Sequence, residues 1–282
     1  MCEQMGDRYT DQLVLVLGGT GKTGRRVVEQ LRVRGVPTRV GSRAHDPAFD
    51  WADQTTWDGV LRDVKSVYVS FYPDLAAPGA VEAVQTFANK AVAHGVRHLV
   101  LLSGRGEQEA QLCEQVIQAA GVDWTVVRAS WFNQNFSEGM MRETVLSGEV
   151  ALPVGDMGEP FVDADDIAAV AVAALTEAGH AGQLYEVTGP RLLTFAKAMQ
   201  EISRFSGRTV RFMTISAEQY ASLLREYGVP QEEIAQLIYL FTEVLDGRNA
   251  HLTDGVQRAL GRPPRDFADF ARVAAAAGAW NR

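Results

Sequence analysis

The sequence predicts an α/β fold: a Rossmann-type doubly wound parallel sheet with a smaller helix-rich C-terminal region. Three observations carry this expectation. The apolar run Leu13-Val14-Leu15-Val16-Leu17 passes straight into Gly18-Gly19-Thr20-Gly21-Lys22-Thr23-Gly24 and then into a helical pattern over 25–31. Short apolar strands alternate with helical stretches as far as residue 130, which implies crossovers and a sheet covered on both faces. Beyond residue 163 the pattern becomes mainly helical.

The glycine-rich junction has the physical requirements of a dinucleotide turn. Gly18 lets the backbone bend off the strand, Gly21 lets it approach a pyrophosphate, and Gly24 lets the helix lie close on the sheet. The helix N-terminus then offers N–H donors and a partial positive charge. Gly21-Lys22-Thr23 also matches the tail of a GxxxxGK[ST] phosphate loop. That motif needs glycine at position 16, where Val16 stands inside the apolar run. The GxxGxxG reading is therefore preferred, and its bland rival is a tight turn without ligand.

Later elements follow in order. Residues 37–42 read as a strand, and Phe49-Asp50-Trp51 as an edge strand. Thr55 to Asp63 reads as a helix with Thr55 and Asp58 as its capping signal. Residues 66–70 form a buried strand, 78–93 a helix with proline near its start, and 97–102 a strand reaching Ser103. A helix to about Ala120 and a strand over 124–128 complete the core. Asp163-Ala164-Asp165-Asp166 then opens a helix apolar all round, with the aspartates read as caps rather than metal ligands. A strand over 184–187 and helices over 194–205, 217–227, 231–245 and 267–277 close the chain. The expected organisation is a disordered tail over 1–11, a nucleotide-binding core over 12–155, and a mixed, mainly helical substrate or lid region over 156–282 interleaved with the core.

Composition narrows the function. The 282 residues are 46% hydrophobic and 22% charged, as in a soluble globule. A net charge of −8 argues against a nucleic-acid surface. Cys2 and Cys113 cannot form a disulfide framework, so a reducing, cytoplasmic setting is expected. The first residues do not resemble a secretory leader, and no apolar run approaches ~18 residues. The five histidines form no HxH pair, no cysteine lies near one, and no metal is expected.

The end of the second strand selects the dinucleotide. An acidic side chain there accepts from ribose hydroxyls, whereas a basic or hydroxyl side chain holds a 2′-phosphate. Here Ser42 and Arg43 stand at that end with no carboxylate, and Lys22 adds charge nearby. NADP(H) is the expected cofactor. Asp50 and Trp51 are candidate adenine contacts.

Gly18-x-x-Gly21-x-x-Gly24, Ser42-Arg43, Trp124-Thr125-Val126-Val127-Arg128 and Pro160-Phe161-Val162-Asp163-x-Asp165-Asp166-Ile167-Ala168 occur in that order. This set, with Tyr185-Glu186-Val187-Thr188-Gly189-Pro190, resembles the NmrA-like, atypical branch of the short-chain dehydrogenase/reductase family over nearly the whole chain. The resemblance implies an NAD(P)-binding Rossmann protein, either a reductase of quinones and other small electrophiles or an inactive NADP redox sensor that binds a transcription factor. It places Gly18, Thr20, Gly21, Lys22 and Thr23 along the pyrophosphate and Ser42 and Arg43 at the 2′-phosphate. It places Ser70, Phe71, Tyr72, Ser103 and Gly104 under the nicotinamide riboside. Ala129, Ser130, Trp131 and Phe132 are placed at the far side of the ring.

Short-chain dehydrogenases protonate an alkoxide with a Tyr-x-x-x-Lys pair. Taking Glu114 as the glutamate that follows the Lys puts Ala110 at the Lys position and Gly106 at the Tyr position. Both side chains are missing. An activated acceptor such as a quinone needs little enzymic acid, so orientation over the nicotinamide suffices. Tyr72, Ser103 and Arg105 are the candidate catalytic groups, with an Arg105–Glu107 ion pair as the structural rival. Trp131-Phe132-Asn133-Gln134-Asn135-Phe136 suits a planar substrate, its amides gripping carbonyl oxygens. The same residues equally suit the anchoring and capping of a helix start. Leu237-Ile238-Tyr239-Leu240-Phe241 is an aromatic helical stripe that fits core, a cover over the pocket, or a homodimer face.

The leading expectation is an NADPH-dependent reductase of a small conjugated or quinone-like molecule. The alternatives are a non-catalytic NADP(H) sensor that binds a protein partner, and a cofactor-assisted natural-product tailoring enzyme.

Overall fold

The structure, a computed structural model, describes residues 12–281; the tail expected over 1–11 lies outside them. The chain runs β1 (Val14–Leu17), α1 (Gly24–Val33), β2 (Thr38–Gly41), α2 (Trp57–Leu61), β3 (Ser66–Val69), α3 (Ala80–Ala93), β4 (His98–Gly104), α4 (Gln108–Gln118) and β5 (Asp123–Ala129). It continues through α5 (Met140–Ser147), β6 (Glu149–Leu152), α6 (Ala164–Thr176), β7 (Gln183–Val187), α7 (Phe195–Ser206) and β8 (Arg211–Thr214). α8 (Ala217–Glu226), α9 (Gln231–Tyr239), α10 (Gly255–Leu260) and α11 (Phe267–Ala276) follow.

Two compact units result. The first takes the chain up to Ala129, then Ala164–Val187 and Asp254–Arg262; the second takes Ser130–Asp163, Thr188–Thr253 and Pro263–Arg282. The chain passes several times between the two units. The buried helix α6 and the strand β7 belong with the first unit because they complete its sheet layers.

In the first unit six parallel strands run in the order β2-β1-β3-β4-β5-β7. Period-two alternation assigns the faces. Leu15, Leu17, Val67, Val69, Leu99 and Leu101 join the cluster shared with Val84, Phe87 and Ala91 of α3 and Cys113 and Ile117 of α4. On the other face α1 and α6 pack together, and α6 reaches β3, β4 and β5. Both faces are covered, so the strands are apolar throughout, and each fully buried large side chain contributes ~1.5–3 kcal/mol. β1 lies between β2 and β3, so the winding reverses at the carboxyl ends of β1 and β3, where such sheets bind ligands.

Phe49-Asp50-Trp51 is a turn, not an edge strand. Asp50 bridges only to Asp53, and the Asp50 carbonyl accepts from the Trp57 indole at 2.7 Å. The β-like signal came from aromatics that pack as a cluster: Trp51 lies 5.1 Å from Phe49 and 5.3 Å from Phe87. The following helix is also shorter than expected, because Asp53, accepting from Thr55 N, caps a 3₁₀ turn over Gln54–Thr56 before α2 begins.

The second unit is less purely helical than the sequence suggests. β6 and β8 pair in parallel, Glu149 opposite Arg211 through Leu152 opposite Thr214. The predicted helix over 231–245 ends as α9, and a π-helical turn, Leu240–Val244, follows. Phe136, Phe161, Phe195 and Phe267 form its aromatic centre, with centroids 5.0–6.0 Å apart. Among the described residues no helix is long and apolar enough to cross a membrane.

Candidate functional site

The glycine turn has the close geometry that a phosphate cradle needs. Gly18 adopts φ +63°, and its N–H donates to the Gly41 carbonyl at 3.0 Å, tying the turn to β2. The Gly18 carbonyl accepts from Gly21 N at 2.8 Å. A Cβ on Gly24 would sit 2.2 Å from that carbonyl oxygen, so α1 can start here only without a side chain. Gly19 was not singled out by sequence, yet its Cβ would meet Val40 Cγ1 at 2.8 Å. A Cβ on Gly18 would lie 3.4 Å from the Cβ and Oγ of Ser70. The turn after β1 and the end of β3 are thus neighbours at the reversal point. Thr20 and Gly21 are exposed, Lys22 is half-buried and Thr23 is buried.

A brace behind this turn was not legible in sequence. Arg26 donates through Nη1 to the Lys22 carbonyl at 2.7 Å and through Nε to Asp165 Oδ1 at 2.8 Å. Asp165 was read as a helix cap, and Asp166 likewise pairs with Arg262 at 2.7 Å. Ion pairs between elements distant in sequence occupy these carboxylates.

At the end of β2, Ser42 Oγ lies 2.6 Å from His45 Nδ1. Arg43 is exposed, and among the described residues its guanidinium has no ion-pair partner. Asp50 Oδ1 accepts from Ala52 N at 3.0 Å, which uses one oxygen of the proposed adenine contact inside its own turn. Trp51 donates its indole N–H to the Ser70 carbonyl at 3.1 Å and lies 4.8 Å from the Phe71 ring. Trp51, Ser70 and Phe71 are therefore brought together. Tyr72 is 68% exposed.

A charged network lies at the ends of β4, β5 and β7. Ser103 Oγ donates to Glu114 Oε1 at 2.6 Å, and Arg128 Nε donates to the same oxygen at 2.9 Å. Arg128 Nη1 continues to Glu186 at 3.3 Å, and Arg105 Nε lies 3.6 Å from Glu186. Arg105 is 3% exposed, with its carboxylate neighbour on β7. Glu107 is also buried, against Gly104, where a Cβ would meet its Oε1 at 2.0 Å. Burial, with the Asp74 carboxylate beside it, pushes the Glu107 carboxyl well above the usual range. On α4, Ala110 is buried where a catalytic lysine would be, and just before that helix Gly106 takes φ +80° where the tyrosine would be.

In the second unit the aromatic and amide segment divides by role. Phe136 is an anchor, fully buried, its carbonyl accepting from the Trp280 indole at 2.8 Å. Gln134 donates to Asp163 Oδ1 at 3.0 Å. Trp131 and Phe132 are half-buried, as is Asn135. The Trp131 ring lies 5.2 Å from Phe241 of the predicted stripe, which makes that end of the stripe core. Asn133 is fully buried, and neither of its amide atoms has a protein partner. Such a group costs about 1–3 kcal/mol. Trp131 Nε1 is buried without a partner too.

Sheet order, reversal point and glycine cradle define an α/β dinucleotide-binding protein. Residues 18–178 match a family described as NAD(P)H-binding and residues 108–262 match the NmrA-like family. The chain belongs to this NAD(P)H-binding, NmrA-like family. It is 30% identical over 280 residues to prestalk A differentiation protein A of Dictyostelium discoideum, covering 93% of this chain and 92% of that one. It is 32% identical to an NAD(P)H azoreductase of Xenophilus azovorans, covering 94% and 99%. The fold is shared with the triphenylmethane reductase of Citrobacter sp. complexed with NADP(H), at TM-score 0.73, 18% identity, and coverage of 93% and 99%. The family thus includes named NAD(P)H-dependent reductases.

Proposed function

We propose that the protein is an NADPH-dependent reductase of a small conjugated or quinone-like electrophile that works without a Tyr-x-x-x-Lys pair. One observation carries this reading: the glycine cradle is complete, while Ala110 on α4 and Gly106 just before that helix stand where the acid pair would be. Enzymic acid is dispensable only when the reduced acceptor is already a stable anion.

Gly18, Thr20, Gly21, Lys22, Thr23 and Gly24 would hold the pyrophosphate. The unpaired Arg43, with Ser42, would hold a 2′-phosphate, and Asp50 and Trp51 the adenine. Ser70, Phe71, Tyr72, Ser103, Gly104, Ser130 and Trp131 are assigned to the nicotinamide riboside. When bound, the reduced nicotinamide supplies a hydride. Trp131, Phe132, Asn133, Gln134, Asn135 and Phe136 are assigned to the acceptor, with Phe136 acting by packing. Tyr72 stays available to solvent at the end of β3, whereas the Ser103 proton is engaged by Glu114. Arg105 supplies positive charge behind this edge, balanced by Glu186. The relative named as an NAD(P)H azoreductase supports a planar conjugated acceptor.

A second reading, a non-catalytic NADP(H) sensor with a protein partner, is favoured by the same missing Tyr and Lys. Calorimetric titration with NADPH, NADP+, NADH and NAD+, followed by NADPH consumption against quinones and azo compounds, separates the two. A reductase binds NADPH and consumes it with at least one acceptor. Selective binding of one redox form with no consumption over the whole panel favours the sensor.

A further inference from the structure

The loop that follows β2 is closed on Ser42. The Ser42 carbonyl accepts from His45 N at 3.3 Å and from Phe49 N at 3.0 Å. Its Oγ accepts from Ala44 N at 3.3 Å and lies 2.6 Å from His45 Nδ1. Phe49, 3% exposed, anchors the far end of the loop. The imidazole of His45 is thereby folded back on the Ser42 hydroxyl, while the residue itself stays exposed. This loop starts beside the glycine turn, because Gly18 N donates to the carbonyl of Gly41, the residue before Ser42. Arg43, exposed and without an ion-pair partner among the described residues, belongs to the same loop. Ser42, Arg43 and His45 thus bring three side chains able to donate hydrogen bonds to the end of the strand that selects the dinucleotide.

Hydrogen counting gives His45 its role. A hydroxyl has one proton and two lone pairs. One lone pair of Ser42 takes the Ala44 N–H. When Nδ1 of the ring is bare, the Ser42 proton is spent on it and none is left for a ligand. When Nδ1 carries a proton, it donates to the second lone pair, and the Ser42 proton is released to an anion. A neutral ring has that arrangement in one tautomer only, whereas an imidazolium always has it. A phosphate held next to the ring favours the charged form. A 2′-phosphate carries about two negative charges at neutral pH, and Arg43 balances one of them. The other charged groups of the segments that meet here are Asp46 on the loop and Lys22 on the glycine turn. Asp50 follows the loop, with Oδ1 accepting from Ala52 N. A Cβ on Gly59 would lie 3.2 Å from Pro47, so α2 packs on this loop; its one charged residue, Asp58, is held by Lys90 and His94. We infer that His45 is a further member of the 2′-phosphate site, a positioning residue that turns the Ser42 proton toward the phosphate, so that preference for the phosphorylated dinucleotide is strongest when the imidazole is protonated. This rests on the NADP(H) reading above and adds a proton-linked control of cofactor choice to the same site.

Calorimetry with NADP+ and NAD+ on the wild type, His45→Gln and Ser42→Ala tests it at about pH 7 and about pH 8.5, both above the second phosphate pKa of about 6. His45→Asn serves as a second variant should His45→Gln fail to fold. The wild-type preference for NADP+ over NAD+ should fall by about threefold to tenfold between the two pH values, as a charge-assisted hydrogen bond gives way to a neutral one. In His45→Gln and Ser42→Ala the preference should start at the lower level and change by less than about twofold, with NAD+ affinity within about twofold of wild type throughout. A wild-type preference that does not fall overturns the inference. So does a fall of the same size in His45→Gln, which gives the titration to another group. A fall retained in Ser42→Ala overturns the route through the hydroxyl. No preference for NADP+ at either pH overturns the inference together with the NADP(H) assignment. Failure of the reductase reading alone shows separately, as preferential NADP+ binding with no NADPH consumption by any acceptor.

Discussion

At the residue scale the nucleotide site depends on atoms that are absent. Adding one carbon at Gly24 places it 2.2 Å from the Gly18 carbonyl oxygen. Backbone cannot yield there as a flexible side chain would, and overpacking of this kind costs about 1–3 kcal/mol. Gly24→Ala should therefore lower the melting temperature and weaken NADPH binding about tenfold or more; unchanged affinity would mean the turn is not the cradle. Arg43, proposed above for the 2′-phosphate, has no ion-pair partner among the described residues. A charge-assisted hydrogen bond to phosphate is worth about 1.5–3 kcal/mol. Arg43→Glu should thus cost NADPH roughly tenfold to a hundredfold in affinity and leave NADH within about threefold. Equal weakening of both would remove Arg43 from the 2′-phosphate. The three glycines were legible because each answers a local backbone demand. Gly19 was not, since its close neighbour Val40 lies on another strand.

Elements were legible where a single period dominated and obscure where packing overrode it. β1, β3, β4 and β5 are apolar runs inside a sheet covered on both faces, so their sequences announce them. Phe49-Asp50-Trp51 has the composition of a strand but lies in a turn, because its rings find Trp57, Phe71 and Phe87 rather than a strand partner. β6 and β8 were missed because β8 is largely exposed and shows no alternation. The brace between α1 and α6 was equally hidden, as Arg26 and Asp165 are 139 residues apart. It holds the Lys22 carbonyl from behind. A half-buried pair of this type is worth about 1 kcal/mol or less, so Asp165→Ala should raise the NADPH dissociation constant by about threefold to fivefold with little change in melting temperature. A dissociation constant that does not move would show that the turn holds its shape unaided.

On the scale of the whole molecule, two buried groups set opposite limits on stability against pH. Thr125 donates to the His180 carbonyl at 2.7 Å, so its oxygen accepts from His98 Nε2 at 3.0 Å. Burial pushes the pKa of His98 down to about 4. The unfolded chain, titrating near the ordinary histidine value of about 6.5, takes up this proton first. Stability should be complete above about pH 6.5 and fall by up to about 3 kcal/mol as the pH drops toward 4. Denaturant melts at several pH values should show this slope in the wild type and a shallower one in His98→Gln. Glu107 acts in the other direction. Its carboxyl is held protonated by burial and by Asp74, so it destabilises the fold as pH rises above the usual glutamate range. Glu107→Gln, which stays neutral, should be at least as stable as wild type at neutral pH, and a clear loss would contradict the assigned protonation state.

On the proposed reading, the protein is a reductase that positions its acceptor but supplies no tuned acid. The most direct measurement compares kcat/KM, with NADPH, for menadione and for an unactivated ketone such as cyclohexanone. Loss of general acid catalysis costs roughly 10²–10⁴-fold where an alkoxide must be protonated. The quinone should therefore be reduced with at least about a hundredfold advantage, and the ketone barely at all. A ketone turned over as readily as the quinone would reveal a proton donor in the site and contradict the account.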